Sequence, residues 1–171
     1  MGDKNWFAVY TRYKSEKWVA ETLGKKGIEA YTPLRSRTKK YQRKIKTYHY
    51  PLINNYTFVH IVENDKRKVL ETNHVIGFLK IGGRCIPIPE KEIQTLKRVV
   101  GENIEIDILP NTKHVGENVE IVMGSLTGMK GTLVSIKNKK EFIVQLQQLG
   151  YTLKIGVEPK CLRVLSQMIV A

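Results

Sequence analysis

The side chains that could perform catalysis or bind metal in this 171-residue sequence are few and scattered. Its four histidines, at positions 49, 60, 74 and 114, do not have the spacing of metal ligands. The glycine-rich stretch from Gly124 to Gly131 contains Lys130, but no Ser or Thr follows where a phosphate-binding loop requires one. No serine or cysteine lies in a nucleophile context. An enzyme is therefore the least expected class, and no metal or other cofactor is expected.

Positive charge is the first feature that points to a partner. The sequence has 29 Lys and Arg against 16 Asp and Glu, a formal net charge of +13. Such a surplus favours polyanion partners, although an ordinary basic surface is the alternative. One segment without acids lies between two predicted strands and is either a solvated hairpin tip or a phosphate-contacting surface. Its cations are Arg35, Arg37, Lys39, Lys40, Arg43, Lys44 and Lys46.

The remaining composition indicates a cytoplasmic protein. The N-terminus lacks an apolar run behind a basic start, and no stretch approaches the ~18 apolar residues of a membrane span. Cys85 and Cys161 fall in different predicted domains, so we expect two buried thiols and neither a disulfide framework nor a zinc site.

Residues 1–100 are predicted to form one α+β domain. Period-2 patterns predict strands at 6–11, 28–34, 56–61 and 75–81. Helices are predicted between Ser15 and Gly27, after Asp65, and from Pro89. The order βαββαβα is typical of a ferredoxin-like, RRM-like antiparallel sheet with its helices on one face. Tyr56 and Phe58 alternate with β-branched residues, which predicts that they lie on the uncovered face.

After Val100 the pattern changes, and we predict a linker at 101–113 followed by a β domain at 114–167. Helical spacing disappears, and β-branched runs alternate with Gly, Lys and Asn. The predicted strands are 119–122, 132–136, 142–146, 153–157 and 162–165. Five short strands of this kind are typical of a small, SH3-like closed barrel.

Two motifs resemble the NusG family of transcription factors. The segments Trp6-Phe7-Ala8-Val9-Tyr10 and Pro51 to Val59, with Val75-Ile76-Gly77-Phe78, are similar to the N-terminal (NGN) domain of that family. Gly116 to Ile121, followed by Gly124 to Gly131, resembles a KOW motif. The motif Pro-Leu-x-x-x-Tyr-x-Phe-Val is more similar to that of the specialised antiterminators RfaH and UpxY than to that of housekeeping NusG.

The resemblance implies a non-catalytic, monomeric elongation factor that binds RNA polymerase. In the family, an apolar patch docks on the clamp helices of the largest subunit, and the domain bridges the DNA cleft to the opposite lobe. A factor that binds the closed clamp more tightly shifts the population away from paused states. The corresponding docking residues are Tyr10, Ile53, Tyr56, Phe58, Phe78 and Ile81. Asn54-Asn55 replaces the usual Pro-Gly, and Asn accepts the left-handed conformation that this bend requires.

The resemblance also implies further partners. Upstream duplex or non-template DNA would contact the basic segment, through Arg37, Lys39, Lys40, Arg43 and Lys44, together with Arg12, Tyr13, Lys14 and Lys17. The KOW domain would recruit a small-subunit ribosomal protein or Rho through Leu126, Gln148, Leu149 and Tyr151. Six glycines in this region make a long helix costly there, so we expect a barrel in all states.

The alternative is an RRM-like and KOW-containing RNA-binding or ribosome-associated protein. The bases of the bound RNA would stack on Tyr56 and Phe58, which alternate along a strand like the base-stacking aromatics of RRM domains. What these two rings contact distinguishes the alternatives, because replacing them should weaken polymerase binding under the first hypothesis and RNA binding under the second.

Overall fold

The computed structural model describes residues 2–136 and 139–165. The chain divides into two units, the first ending at Val100 and the second beginning at Gly101. The first unit contains β1 (Asn5–Thr11), α1 (Glu16–Lys25), β2 (Glu29–Tyr31), β3 (Leu34–Tyr41), β4 (Lys44–Pro51), β5 (Tyr56–Ile61), α2 (Lys66–Leu70), β6 (Val75–Phe78), β7 (Lys80–Ile81), β8 (Arg84–Cys85) and α3 (Glu90–Val100).

The central sheet of the first unit has the strand order β2-β5-β1-β6, with every neighbouring pair antiparallel. This is the order of a ferredoxin-like sheet, and the predicted α+β class is confirmed. The predicted strand at 28–34 is shorter than expected, because β2 ends at Tyr31 and the chain enters a separate hairpin at Leu34.

The helices α1 and α2 cover one face of the sheet. A buried cluster joins Val19 and Leu23 of α1 to Val69 of α2 and to β-sheet residues that include Phe7 and Val59. Helix α1 ends as the sequence predicts, since Gly27 has a φ of +77° and Ile28 donates its N–H to the Leu23 carbonyl. Trp18 of the same helix is exposed and meets the His74 ring edge-on.

The helix α3 covers the opposite face, where we predicted an open surface. The Trp6 indole N–H donates a 2.6 Å hydrogen bond to Glu90 Oε2. The Lys97 ammonium lies 5.0 Å from the Trp6 ring centroid and 5.5 Å from that of Tyr31. The prediction of helices on a single face is therefore wrong in this detail. Large rings on that face give α3 apolar area to bury, at about 25 cal/mol per Å².

The basic connection between β2 and β5 is a regular β-hairpin. Strands β3 and β4 pair along eight rungs, from Leu34–Pro51 at the base to Tyr41–Lys44 at the tip. Gln42 and Arg43 form the turn between them. The hairpin is exposed along nearly its whole length, so its side chains add little to the core of the unit.

The second unit is β-rich, as predicted. Its strands are β9 (Ile106–Pro110), β10 (Gly116–Ile121), β11 (Lys130–Ile136), β12 (Lys139–Leu146), β13 (Tyr151–Ile155) and β14 (Leu162–Val164). They form one antiparallel sheet in the order β14-β10-β11-β12-β13-β9. All five predicted strands are present, although the first four begin two or three residues earlier than expected. Within residues 2–136 and 139–165, no ladder joins the outer strands β9 and β14 into the closed barrel that we predicted.

The segment predicted as a linker contains an ordered strand. Residues of β9 pair with β13 from Ile106–Ile155 to Pro110–Tyr151, and Ile106 is buried. The isoleucines of this segment alternate with acidic residues, which is a strand pattern. The prediction of a linker is therefore wrong for residues 106–110.

Gly131 fits the glycine-studded motif of the second unit for a steric reason. A Cβ placed on this residue would lie 2.6 Å from the Phe142 ring on the neighbouring strand. Strands β11 and β12 therefore pack this ring over bare backbone, which explains why a side chain is absent here.

Candidate functional site

Two tyrosines from the predicted docking patch lie side by side on the central sheet. Tyr10 and Tyr56 are opposite each other on β1 and β5, with ring centroids 4.7 Å apart. Tyr10 is half-buried, whereas Tyr56 is largely buried. The pair therefore presents part of one ring at the end of the sheet.

The turn that leads into Tyr56 is held by a buried carboxylate. Asn55 has a φ of +64°, as predicted for a residue that replaces glycine at a bend. Its N–H donates a 2.7 Å hydrogen bond to Glu16 Oε1, and its carbonyl accepts the Thr11 N–H at 2.9 Å. Glu16 is buried at the first turn of α1. Sequence reasoning missed this residue because an acidic side chain in a first helical turn is ordinarily exposed.

The other four predicted docking residues do not share one exposed surface. Phe58 is 0% exposed on the α3 side of the sheet, and Phe78 is 6% exposed in the cluster on the α1 side. Ile53 is buried in the loop before β5. Ile81 is 49% exposed on β7, so it is the one large apolar side chain of these four that a partner could contact.

The burial of Phe58 and Phe78 corrects the prediction that the patch is an exposed sheet surface. Alternation along β5 places Phe58 opposite the β-branched residues, as predicted, but α3 covers that face. The sequence left open whether Phe78 or Ile81 belongs to the core, and the structure assigns Phe78 to it.

The predicted nucleic-acid residues near α1 form an exposed group. Arg12, Tyr13, Lys14 and Lys17 are all exposed, and the Lys14 ammonium lies 5.1 Å from the Tyr13 ring centroid. Lys14 has a φ of +59°, which places this connection in a tight turn. Within the described residues, no ion pair shorter than 4.0 Å neutralises these three cations.

The β3–β4 hairpin has two chemically different faces, because residues directly opposite in an antiparallel ladder share a face. On one face lie Arg35 with Tyr50, Arg37 with Tyr48, Lys39 with Lys46, and Tyr41 with Lys44. We call this surface the tyrosine face. Five cations and three aromatic rings therefore share this face, without an acidic residue.

The opposite face of the hairpin is mainly neutral. The Ser36 hydroxyl lies 2.9 Å from His49 Nδ1, and the Thr38 and Thr47 hydroxyls lie 3.1 Å apart. Lys40, paired with Ile45, is the cation of this face. The predicted nucleic-acid residues of the hairpin are thus divided. Arg37, Lys39 and Lys44 lie on the tyrosine face, Arg43 lies in the turn, and Lys40 points the other way.

Interactions within the tyrosine face hold its rings in place. The Tyr41 and Tyr48 hydroxyls are 2.9 Å apart, and the hydrogen bond between them raises the pKa of Tyr41 above its ordinary value of 10.0. The Lys46 ammonium lies 5.2 Å from the Tyr48 ring centroid. Sequence reasoning missed the tyrosines because it considered only the cations. The signal was present in the alternating Tyr48-His49-Tyr50.

Comparison with known proteins decides the family. The sequence model of the NusG family, described as transcription termination factor nusG, matches residues 4–97. The chain belongs to the NusG family. The match covers the central sheet, the β3–β4 hairpin, strands β7 and β8, and all but the end of α3. The predicted family is therefore confirmed, whereas the specialised RfaH and UpxY branch stays a prediction.

One solved structure agrees with this assignment at the level of fold. This NusG-family chain is similar to NusG of Thermotoga maritima, with 21% identity and a TM-score of 0.57 over 96% of this chain and 98% of that one. Two structures of the MjSpt4:Spt5 complex match at 18% and 19% identity. Their TM-scores are 0.32 and 0.34, over 94% and 95% of this chain and 98% and 97% of theirs.

The predicted partner-binding residues of the second unit are partly structural. Leu126 and Leu149 are buried, whereas Gln148 and Tyr151 are half-buried. The two leucines therefore support the fold of this NusG-family chain, and Gln148 and Tyr151 are the members of the set that a partner could reach.

Neither a membrane span nor a metal cluster is found in the part of the chain that the structure describes. Its helices are too short or too polar to cross a bilayer. No three His, Cys, Asp or Glu side chains among these residues come together as ligands would.

Proposed function

We propose that this chain is a cytoplasmic, monomeric and non-catalytic transcription elongation factor. In this proposal the first unit docks on the clamp helices of the largest RNA polymerase subunit and bridges the DNA cleft to the opposite lobe. Docking suppresses pausing and promotes antitermination. The observation that carries the proposal is the NusG family match over residues 4–97.

The docking surface in this proposal is narrower than the six residues of the sequence prediction. It centres on the accessible edge of the Tyr10–Tyr56 pair and on Ile81. The buried Phe58, Phe78 and Ile53 are not contact residues of this narrower surface. A partner that contacts a few apolar anchors at the centre of an interface gains most of its binding energy there.

The second unit, as a KOW domain, would recruit a small-subunit ribosomal protein or Rho through Gln148 and Tyr151. Basic side chains near α1 and on the hairpin would contact upstream or non-template DNA. Because such contacts release counterions, they weaken as salt concentration rises. The apolar contact with polymerase does not depend on salt in this way.

The rival function, an RRM-like protein that stacks RNA bases on its sheet, has less support. Its stacking residues would be Tyr56 and Phe58, and Phe58 has no exposed surface because α3 covers it. A base could reach this ring only if α3 detached, which would also expose Trp6 and Tyr31.

A polymerase pull-down tests the proposal with a matched pair of variants. We expect the full-length protein to retain purified core polymerase, free of nucleic acid, at near-physiological salt. Ile81→Asp should weaken this binding at least about tenfold, since it places a charge in an apolar contact. Ile45→Asp, which makes the same charge change at another exposed isoleucine, should leave the binding within about twofold.

Equal binding by the two variants would contradict docking through Ile81, and a failure of the unmodified protein to bind polymerase would overturn the proposed function. A transcription assay then addresses direction. We expect shorter pauses and more readthrough of terminators, and increased termination instead would reject the antitermination role.

A further inference from the structure

The tyrosines of the hairpin are exposed and do not belong to the hydrophobic core of the unit. Tyr41, Tyr48 and Tyr50 are 47%, 38% and 40% exposed. Aromatic side chains ordinarily bury large apolar areas, and three rings on one surface are a costly arrangement for a solvated ribbon. Their regular placement beside cations therefore requires an explanation other than folding.

The charge of the hairpin identifies the kind of partner. Residues 34–51 contain seven Lys and Arg and no Asp or Glu. Five of the seven lie on the tyrosine face, one lies in the turn and one on the opposite face. Cations interleaved with aromatic rings are the combination that binds a phosphate backbone and stacks its bases. A protein partner of opposite charge would need the cations but would not need the rings.

The spacing of the rings favours unpaired bases over a duplex. Tyr48 and Tyr50 lie two residues apart on one strand, so their Cα atoms are separated by about 6.7 Å. Bases stacked in a duplex are about 3.4 Å apart, which leaves no room for a ring between them. An extended single strand, whose bases are unstacked, can place successive bases on rings at the larger spacing.

We propose that the tyrosine face of the β3–β4 hairpin binds single-stranded nucleic acid. Bases stack on Tyr48 and Tyr50, and the flanking Arg37, Lys39 and Lys46 contact the phosphates. This inference deepens the nucleic-acid contact in the proposed function and rests on it for the source of the strand. Displaced DNA and nascent RNA share the chemistry that the face recognises.

Binding of labelled oligonucleotides to the full-length protein tests the inference. Fluorescence anisotropy at about 0.15 M salt would compare a 12-nucleotide DNA strand, the RNA of the same sequence and the corresponding DNA duplex. We expect either single strand to bind more tightly than the duplex. The strand that binds more tightly identifies DNA or RNA as the source.

The double variant Tyr48→Leu, Tyr50→Leu tests the rings. It should weaken single-strand binding about tenfold or more, because stacking on each ring contributes measurably to affinity. The matched control is Thr47→Leu, His49→Leu, which changes two residues of the same strand on the opposite face. It should bind within about twofold of the unmodified protein. Equal losses in the two double variants, or equal binding of strand and duplex, would overturn the inference.

Two adjacent lysines test the assignment of the face. Lys39→Gln and Lys40→Gln change the net charge equally, but Lys39 lies on the tyrosine face and Lys40 does not. We expect Lys39→Gln to lower the slope of log affinity against log salt by about 0.7 for a single strand, and Lys40→Gln to lower it less. Equal slopes would show a diffuse charge effect and overturn the face assignment.

The polymerase pull-down separates this inference from the proposed function. The Tyr48→Leu, Tyr50→Leu protein should still bind nucleic-acid-free polymerase, because its changes lie on the hairpin and not at Ile81. Retained polymerase binding shows that the variant is folded. Loss of single-strand binding in that protein then reports on the hairpin alone.

Discussion

Strands β4 and β5 carry the same alternating aromatic pattern, but the rings are partly exposed on β4 and buried on β5. Tyr48-His49-Tyr50 lies on the exposed hairpin, and Tyr56-Thr57-Phe58 lies on the central sheet. The first pair of rings is partly exposed, while Phe58 is completely buried beneath α3. Alternating aromatics therefore identify a strand, but a remote helix decides whether the rings become core or a binding surface.

The largest expected difference between the two strands is in the stability lost when one ring is removed from each. Phe58→Ala should lower the free energy of unfolding by about 3–5 kcal/mol, since it leaves a cavity in a packed core. Tyr48→Ala should cost less than about 1 kcal/mol, the scale of a cross-strand pair. Denaturant unfolding of both proteins measures the difference. Similar losses would show that the hairpin rings also stabilise the fold.

A second prediction concerns the turn that delivers β5 into the sheet. Glu16→Ala removes the acceptor of the Asn55 N–H and should cost about 1–3 kcal/mol, because that donor is left without its partner. Glu21→Ala, an exposed position on the same helix, should cost less than about 0.5 kcal/mol. Thermal unfolding distinguishes them. A cost at Glu21 equal to that at Glu16 would contradict the role of this hydrogen bond.

The smallest expected effect is a difference in alkaline sensitivity. Burial keeps the pKa of Tyr31 well above 10.0, whereas the hydrogen bond with Tyr48 raises that of the exposed Tyr41. The unfolded chain loses its tyrosine protons near pH 10 while folded Tyr31 retains its own, so stability should fall as pH rises above 10. Tyr31→Phe should reduce that fall. Tyr48→Phe should lower the pKa of Tyr41 in an ultraviolet titration and leave the alkaline sensitivity due to Tyr31 in place.

Local sequence patterns were sufficient to predict most of the helices and strands. Ser15 predicted the start of α1 and Gly27 predicted its end, because both signals lie within a few residues of the structure they specify. Five β strands of the second unit were predicted for the same reason. The segment at 106–110 was predicted as a linker, because its run of alternating isoleucines is short and ends at Pro110 and Asn111.

The errors arose where contacts join distant parts of the chain. The Trp6 indole N–H donates its hydrogen bond to Glu90, which lies 84 positions later in the sequence. No local sequence pattern indicates that α3 will cover the face of the sheet on which Tyr31 and Phe58 lie. The division of the hairpin cations between two faces was also hidden, because it depends on the register of β3 against β4. Once a two-residue turn at Gln42–Arg43 is recognised, that register follows from the sequence.

The way the hairpin is attached at its base allows its length to change without altering the sheet. Leu34 pairs with Pro51, and the Leu52 N–H donates a 2.7 Å hydrogen bond to the Pro33 carbonyl, so the chain leaves and rejoins the first unit at one point. Removing two residues from each strand would shorten the ribbon by about 6.7 Å and keep every remaining side chain on its own face. The reach of the hairpin can therefore change, in nature or by design, while the sheet that anchors it stays as it is.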